Sequence, residues 1–507
     1  MGRLFLFGIG GTGARVVRSL TMLLSTGVKV NCDKIVPIII DVDSKNEDTA
    51  RTIKAMDMYK LIRDKVYASK NVPKEGFFTT DIGSLGSEGV EGVNTIKTAF
   101  KLEFGNITKT FYDYMQVARM SNETQELMRL LFDDSPEGDT KTELNLNLTV
   151  GFKGNPNLGS IIFNDLVNTE EYKYFARAFT PNDRIFIVSS IFGGTGSSGF
   201  PQLVKNLRRN SGNLNDALKT AKIGTAIVMP YFTVEDNKAS AVDARNFMSK
   251  TKAALSYYHK ELKGQDKLDE VFYLYDEPGN PYANNEGGTS QKNDAHLVEM
   301  LGAMAIVKFA NQAQFSPNTE YYEYGIRKKD AVLNFTHFFE DLSKDVPVAK
   351  ALTLMIYFAK ICKDILPKYT YEKEKDFSKY LNLKANFQDT RFIYKDLGIF
   401  IFEHFIKYME ELARNAKFEP FNLDLNKEFN AMINGKPIVD TRNAIARAVG
   451  GAYALNDDGY FTEKMTEIEA NLRKSNVPDE ERFIKMCYEV CKIAFDEYIK
   501  VPPVASY

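Results

Sequence analysis

The sequence is short of most features that would assign it quickly. Neither sign of charge dominates, with 65 Lys+Arg against 67 Asp+Glu, so no global field draws it to nucleic acid or to a membrane surface. No apolar run is long enough to span a bilayer. The start, Met1 to Gly8, is too short for a signal-peptide core and runs straight into glycines. Leu6 stands where myristoylation prefers Ser or Thr. Cysteine is scarce, four in 507 residues, which fits a reducing cytosol better than a disulfide scaffold. Cys487 and Cys491 lie one helical turn apart with no histidine beside them in sequence, the spacing of a packing pair rather than a metal site. These absences predict a soluble cytoplasmic protein, long enough for two or three domains.

What the chain does have is glycine in informative places. An apolar run, Ile185 to Val188, reads as a buried strand; it breaks into Gly193, Gly194, Thr195, Gly196, Ser197, Ser198 and Gly199 and resumes as a helix from Leu203 to Arg209. Glycines at a strand-to-helix turn let backbone N–H groups approach an anion, and the helix N-terminus adds unpaired donors and a positive dipole end. An ordinary Gly/Ser turn is the plainer alternative.

A second such turn opens the chain. Strand Leu4 to Phe7 leads into Gly8, Gly10, Gly11, Thr12 and Gly13, then a helix with Val16, Val17, Leu20, Leu23 and Leu24 on one face. Strand Ile35 to Ile40 follows and ends in Asp41 and Asp43. Taken alone, G-x-G-x-x-G plus an acid at the end of the second strand also suits a dinucleotide enzyme. A third glycine loop, Gly151 to Gly159, contains Gly154, Asn155 and Pro156. Helix 161–175, strand Ile223 to Met229, helix Val242 to Leu262 and strand Val271 to Tyr275 continue an alternating pattern. It predicts a parallel α/β sheet with ligand loops at the carboxyl ends of its strands.

The word Gly193-Gly-Thr-Gly-Ser197 resembles the signature loop of the tubulin/FtsZ superfamily, G-G-G-T-G-[ST]-G, with Phe192 and Ser198 in place of two glycines. Gly154-Asn155-Pro156 and Gly159 resemble the FtsZ loop G-x-G-G-N-P-x-x-G, in the right order. The chain is most similar to divergent bacterial tubulin-like proteins, over residues 1–43 and 151 to about 340. The resemblance implies that the three loops hold the phosphates of GTP or GDP, through backbone donors and the Thr195 and Ser197 hydroxyls. Mg²⁺ would bridge phosphate oxygens largely through water. It implies a ribose contact from Glu235, in a Pro230-to-Asp236 segment like K-P-F-x-F-E-G, and base contacts from Asn293 or Asp294 at the entrance to an apolar helix. The plainer reading of those two is a helix cap, and of His296 helix packing. Asn318, Glu320 and Glu323 keep the spacing of N-x-D-x-x-[DE], whose acids complete the GTPase site of the next subunit; charged loop residues are the alternative.

The expected organisation is a nucleotide-binding domain over 1–310 with an insertion at 44–150, followed by a largely helical C-terminal domain over 311–507. The family implies self-association, as a filament or dimer, and in-trans GTP hydrolysis. A nucleotide-holding scaffold without turnover, recruiting partner proteins through the insertion and the C-terminal helices, is the second expectation. An NAD(P)-dependent enzyme is the third; it leaves two glycine loops idle and finds no proton donor among four scattered histidines.

Overall fold

A computed structural model describes residues 2–43, 46–69, 72–88, 99–101, 110–132, 143–148, 151–152, 155–233, 247–277, 292–325, 332–335, 348–371, 376–389, 391–435, 455 and 458–499. Gly154 and Glu235 lie outside them.

Five strands come from near-continuous apolar runs: β1 Leu4–Ile9, β2 Ile35–Asp41, β4 Arg184–Ser190, β5 Lys222–Val228 and β6 Glu270–Tyr275. Two short ones, β3 Ala99–Lys101 and β7 Glu320–Gly325, complete a seven-stranded sheet of order β3-β2-β1-β4-β5-β6-β7. Every neighbouring pair is parallel. Parallel sheets need both faces covered, which is why these strands are apolar throughout rather than alternating.

Helix α1, Gly10–Ser25, is buried on nearly every side, with only Gly11 of its residues partly exposed. It packs against α2, Glu47–Val66, and α8, Leu297–Asn311. Between these come α3, Asn122–Leu131, α4, Pro156–Ile162, α5, Glu170–Ala178, α6, Gly194–Arg208, and α7, Phe247–Glu261. The longer C-terminal helices are α9, Val348–Lys360, α10, Lys407–Ala416, α11, Asp458–Leu472, and α12, Asp479–Tyr498.

The sheet thus draws on stretches the sequence set apart. The 44–150 stretch supplies α2 and β3, and the stretch after 310 supplies β7. A single buried apolar cluster runs from Leu4 to Ile499, and Phe77 of the 44–150 stretch stacks on Phe358 of α9 with ring centroids 4.9 Å apart. Among the described residues, no helix is long and apolar enough to cross a membrane.

Candidate functional site at the carboxyl edge of the sheet

Strand register brings the first two glycine turns together. Ile9 pairs with Ile40 on one side and Ser189 on the other, so Asp41, Gly10 and Ser190 are the next residues in the row. β2 lies to one side of β1 and β4 to the other, which makes this the topological switch point where ligands of open α/β sheets bind.

Both turns are tighter than the sequence suggested, because the glycines themselves form the first turn of each helix: α1 starts at Gly10 and α6 at Gly194. Close helix–strand packing explains several of them. A Cβ on Gly13 would lie 2.5 Å from the Gly8 carbonyl carbon, and one on Gly196 would lie 2.6 Å from the Ser190 oxygen. Gly10 is different, since its φ of +69° is a conformation that side chains disfavour. A Cβ there would point at Thr195, 3.4 Å from its Cβ, and one on Gly151 would lie 3.9 Å from Thr195 Oγ1. The first loop, the entry to the third and the signature turn therefore meet around Thr195.

The chemistry left open there is that of donors. Neither α1 nor α6 has a side-chain cap or an acid in its first turn. By contrast α2, α3 and α5 are capped by Asn46, Ser121 and Thr169 and carry acids in their first turns. The short helix α4 begins with Asn155 at its cap position, without a side-chain cap bond, and Pro156 inside its first turn. Thr195 Oγ1 has no hydrogen-bond partner among the described residues, whereas Ser197 Oγ donates to the Gly193 carbonyl and Thr12 Oγ1 accepts from Arg15 Nη2 at 3.3 Å. Two unshielded helix starts beside a bare hydroxyl suit an anion.

The departures from the signature word are packing residues. Phe192 joins an aromatic cluster with Tyr231, Phe232 and Phe247. Ser198 donates back to the Gly194 carbonyl at 2.6 Å and fills the space a Cβ on Gly159 would need, 2.1 Å from that position.

Asp41 closes the row. It accepts from the Asp43 backbone at 3.2 Å and from Asn46 Nδ2 at 3.2 Å, and burial, reinforced by Asp43, pushes its carboxyl up to about 7. Asp43 is buried beside it, at 4% exposure.

Beneath the first loop lies a charged network that the sequence reading missed. Arg15 donates from Nε to Glu299 at 2.5 Å, from Nη1 to Asp48 at 2.8 Å and from Nη2 to Tyr231 at 2.6 Å, and Tyr231 donates to Glu299 at 2.8 Å. Burial opposes the Arg15 charge, but Tyr231, Glu299 and Asp48 more than offset it and raise its proton affinity. The available signal was charge in otherwise apolar helices: Arg15 and Arg18 in α1, Glu299 in α8.

The network also engages the two residues expected to read a base. Asn293 donates to Asp48 from its backbone and from Nδ2, each at 3.0 Å, and Asp294 pairs with Arg414 of α10 at 3.0 Å. The cap of α8 is His296, whose Nδ1 accepts from the Val298 amide at 3.2 Å. Burial, with Arg15 nearby, pushes the His296 imidazole down to about 4, so at neutral pH it is an uncharged acceptor.

Asn318 and Glu320 lie at the amino edge of the sheet, and Glu323 lies midway along the edge strand β7. α8 runs from the carboxyl edge to the amino edge, where Arg184 at the start of β4 donates to the carbonyls of Phe309, Ala310 and Gln312. Asn318 is exposed in the following turn, Glu320 opens β7, and Glu323 falls on the opposite face of that strand. β7 is three strands from β4 and four from β1, about 14 and 19 Å at roughly 4.8 Å per strand, so these acids and the glycine turns of one molecule do not meet. No cluster of three or more histidine, cysteine or acidic side chains suited to a metal is present among the described residues.

No family model matches the chain, and no curated protein does. Among solved structures it is weakly similar to CetZ from Methanosaeta thermophila strain DSM 6194, with a TM-score of 0.23 and 13% identity. That match covers 54% of this chain and 46% of the other, so less than half of the CetZ chain is spanned.

Proposed function

We propose that the chain is a tubulin/FtsZ-like protein that binds GTP at the carboxyl edge of its sheet and hydrolyses it weakly, in a site completed by a second copy. The observation that carries this reading is the convergence of two uncapped, acid-free helix starts, with Gly10 against Thr195, at the switch point of a parallel sheet. Gly8, Gly10, Gly11, Thr12 and Gly13 would bind phosphate from one side. Gly193, Gly194, Thr195, Gly196 and Ser197 would bind it from the other, with Gly154, Asn155 and Pro156 closing over it. Mg²⁺ would neutralise phosphate charge through water, and Asp41, Asp43 and Glu235 would face the sugar side. Guanine is named from the loop words in the sequence, because Asn293 and Asp294 are engaged by Asp48 and Arg414.

Glu320 and Glu323, on the edge strand β7 away from the glycine turns, would act on a neighbour's nucleotide with Asn318, as in a head-to-tail filament. A cytoplasmic location fits such a role. Two measurements test the reading: the nucleotide that co-purifies with the protein, and phosphate release against protein concentration. Bound GDP or GTP with release rising more steeply than protein concentration is expected. An empty protein, or one carrying a nicotinamide cofactor, would overturn the reading.

A second reading, a nucleotide-holding scaffold with no turnover, is favoured by the placement of Glu320 and Glu323 on opposite faces of β7. Leu127, Leu130 and Leu131 of α3, 51, 83 and 61% exposed, suit it as a partner-facing patch. It predicts retained nucleotide with release that stays flat per molecule.

A further inference from the structure

Two carboxyls face each other across the amino edge of the sheet. Glu270 opens β6 and Glu320 opens β7, and the two are register partners. Glu270 is 1% exposed, and neither of its carboxyl oxygens has a hydrogen-bond partner among the described residues. Glu320 is half-buried and accepts from the Tyr322 hydroxyl at 2.8 Å. Alternation along the strands puts both acids on the face that carries Phe272, which stacks on Tyr322 with centroids 4.7 Å apart.

The surrounding charges do not satisfy Glu270. Asp269, its chain neighbour, is taken by Arg208 at 3.3 Å, Lys222 at 2.9 Å and the Ile223 amide at 2.8 Å. Lys308 of α8 sits 5.0 Å above the Tyr322 ring, and Arg184 directs Nη1 at the end of α8. Both cations favour an ionised Glu270, but neither bonds it. Burial and the facing Glu320 act more strongly, and they hold the Glu270 carboxyl up at about 7. A buried, unbonded carboxylate beside a like charge is disfavoured; one proton between the two removes the repulsion and supplies the missing donor.

We propose that Glu270 and Glu320 share a single proton, carried by the buried Glu270, which makes Glu270 the positioning residue that sets the charge facing Glu320. Below the titration of Glu270 the pair carries one negative charge, on a Glu320 that accepts the Glu270 proton. Above it the pair carries two, and the repulsion between the register partners returns. The consequence for catalysis rests on the in-trans hydrolysis proposed above; the shared proton does not.

The test is infrared titration of the carboxyl stretch in the full chain, as wild type minus Glu270→Gln, a subtraction that separates Glu270 from Asp41 and Asp276. A protonated-carboxyl band that bleaches around pH 7 is expected in the difference. Its midpoint should move down by about one pH unit in a Glu320→Gln background, as for any pair coupled this closely. No band in the difference, or a midpoint indifferent to Glu320→Gln, overturns the pair. Should hydrolysis occur, its pH profile is expected to bend near 7 in the wild type and to lose the bend in Glu270→Gln; a bend that survives the substitution counts against the pair. A titration as expected in a protein that releases no phosphate upholds the pair and removes the hydrolysis reading alone.

Discussion

The Tyr258 hydroxyl of α7 donates to the Ser197 carbonyl at 3.0 Å, the acceptor that Pro201 leaves open four residues on. Pro201 lies inside α6 and has no N–H to close the turn back to Ser197. Without Tyr258 the first turns of the signature helix would contain a buried carbonyl with no donor. Tyr258→Phe should therefore cost about 1–3 kcal/mol in urea unfolding. Pro201→Ala, which restores the backbone donor, should recover most of that loss in the double variant, and equal losses with and without Pro201 would show that the hydroxyl is not serving this carbonyl.

Arg15 is the cation that allows Asp48 and Glu299 to be buried at 0 and 1% exposure. Breaking a buried pair from one side leaves uncompensated charge, so Arg15→Met should destabilise the protein by about 3–5 kcal/mol. Adding Glu299→Gln and Asp48→Asn to that variant removes the stranded charges and should return part of the stability. Chemical denaturation of wild type, Arg15→Met, the Glu299→Gln/Asp48→Asn double variant and the triple variant checks this, and strict additivity of the losses would refute the network.

Much of this fold was legible because its strands are buried on both faces. Runs such as Ile35 to Ile40 and Ile185 to Val188 hold no polar residue, and they are strands. Helix starts in glycine were misplaced, since low propensity argues for a loop while close contact with the strand end decides for a helix turn at Gly194. Asn318, Glu320 and Glu323 draw the eye as motif acids or charged loop residues, whereas Glu320–Gly325 is a strand. The alternating tyrosines, Tyr322 and Tyr324 inward and Tyr321 outward at 65% exposure, are the strand signal that was passed over. Charge in apolar helices hinted at the ionic network, but its partners were not legible, because residues 15, 48, 231 and 299 are joined only where α1, α2, α8 and the loop after β5 meet.

The Asp41 contribution to stability should fall as pH rises from 3.8 to about 7. The folded state holds the Asp41 carboxyl at about 7 against 3.8 for the free group, through burial first. Between those values the folded protein keeps a proton that the unfolded chain has lost, so unfolding becomes easier with each step up in pH. Glu270 contributes with the same sign. Asp41→Asn should flatten the decline without abolishing it, and raise the melting temperature more at pH 8 than at pH 5. An identical pH slope in wild type and variant would place the Asp41 titration elsewhere.

Thr195 separates a phosphate-binding turn from a packing turn. A Cβ on Gly13 or Gly196 would fall 2.5 or 2.6 Å from backbone, so replacing them would damage both binding and folding and decide nothing. The Thr195 hydroxyl, half-exposed and unbonded among the described residues, can be removed without disturbing either strand or helix. Thr195→Val preserves shape and β-branching, and should leave the unfolding midpoint within about 0.5 kcal/mol of wild type. If the hydroxyl bonds a phosphate oxygen, a charge-assisted contact of about 1.5–3 kcal/mol is lost, and nucleotide affinity should fall by roughly 10- to 150-fold. Retained nucleotide in the purified variant, at wild-type occupancy and with a wild-type off-rate, would mean that the two glycine turns meet only to pack.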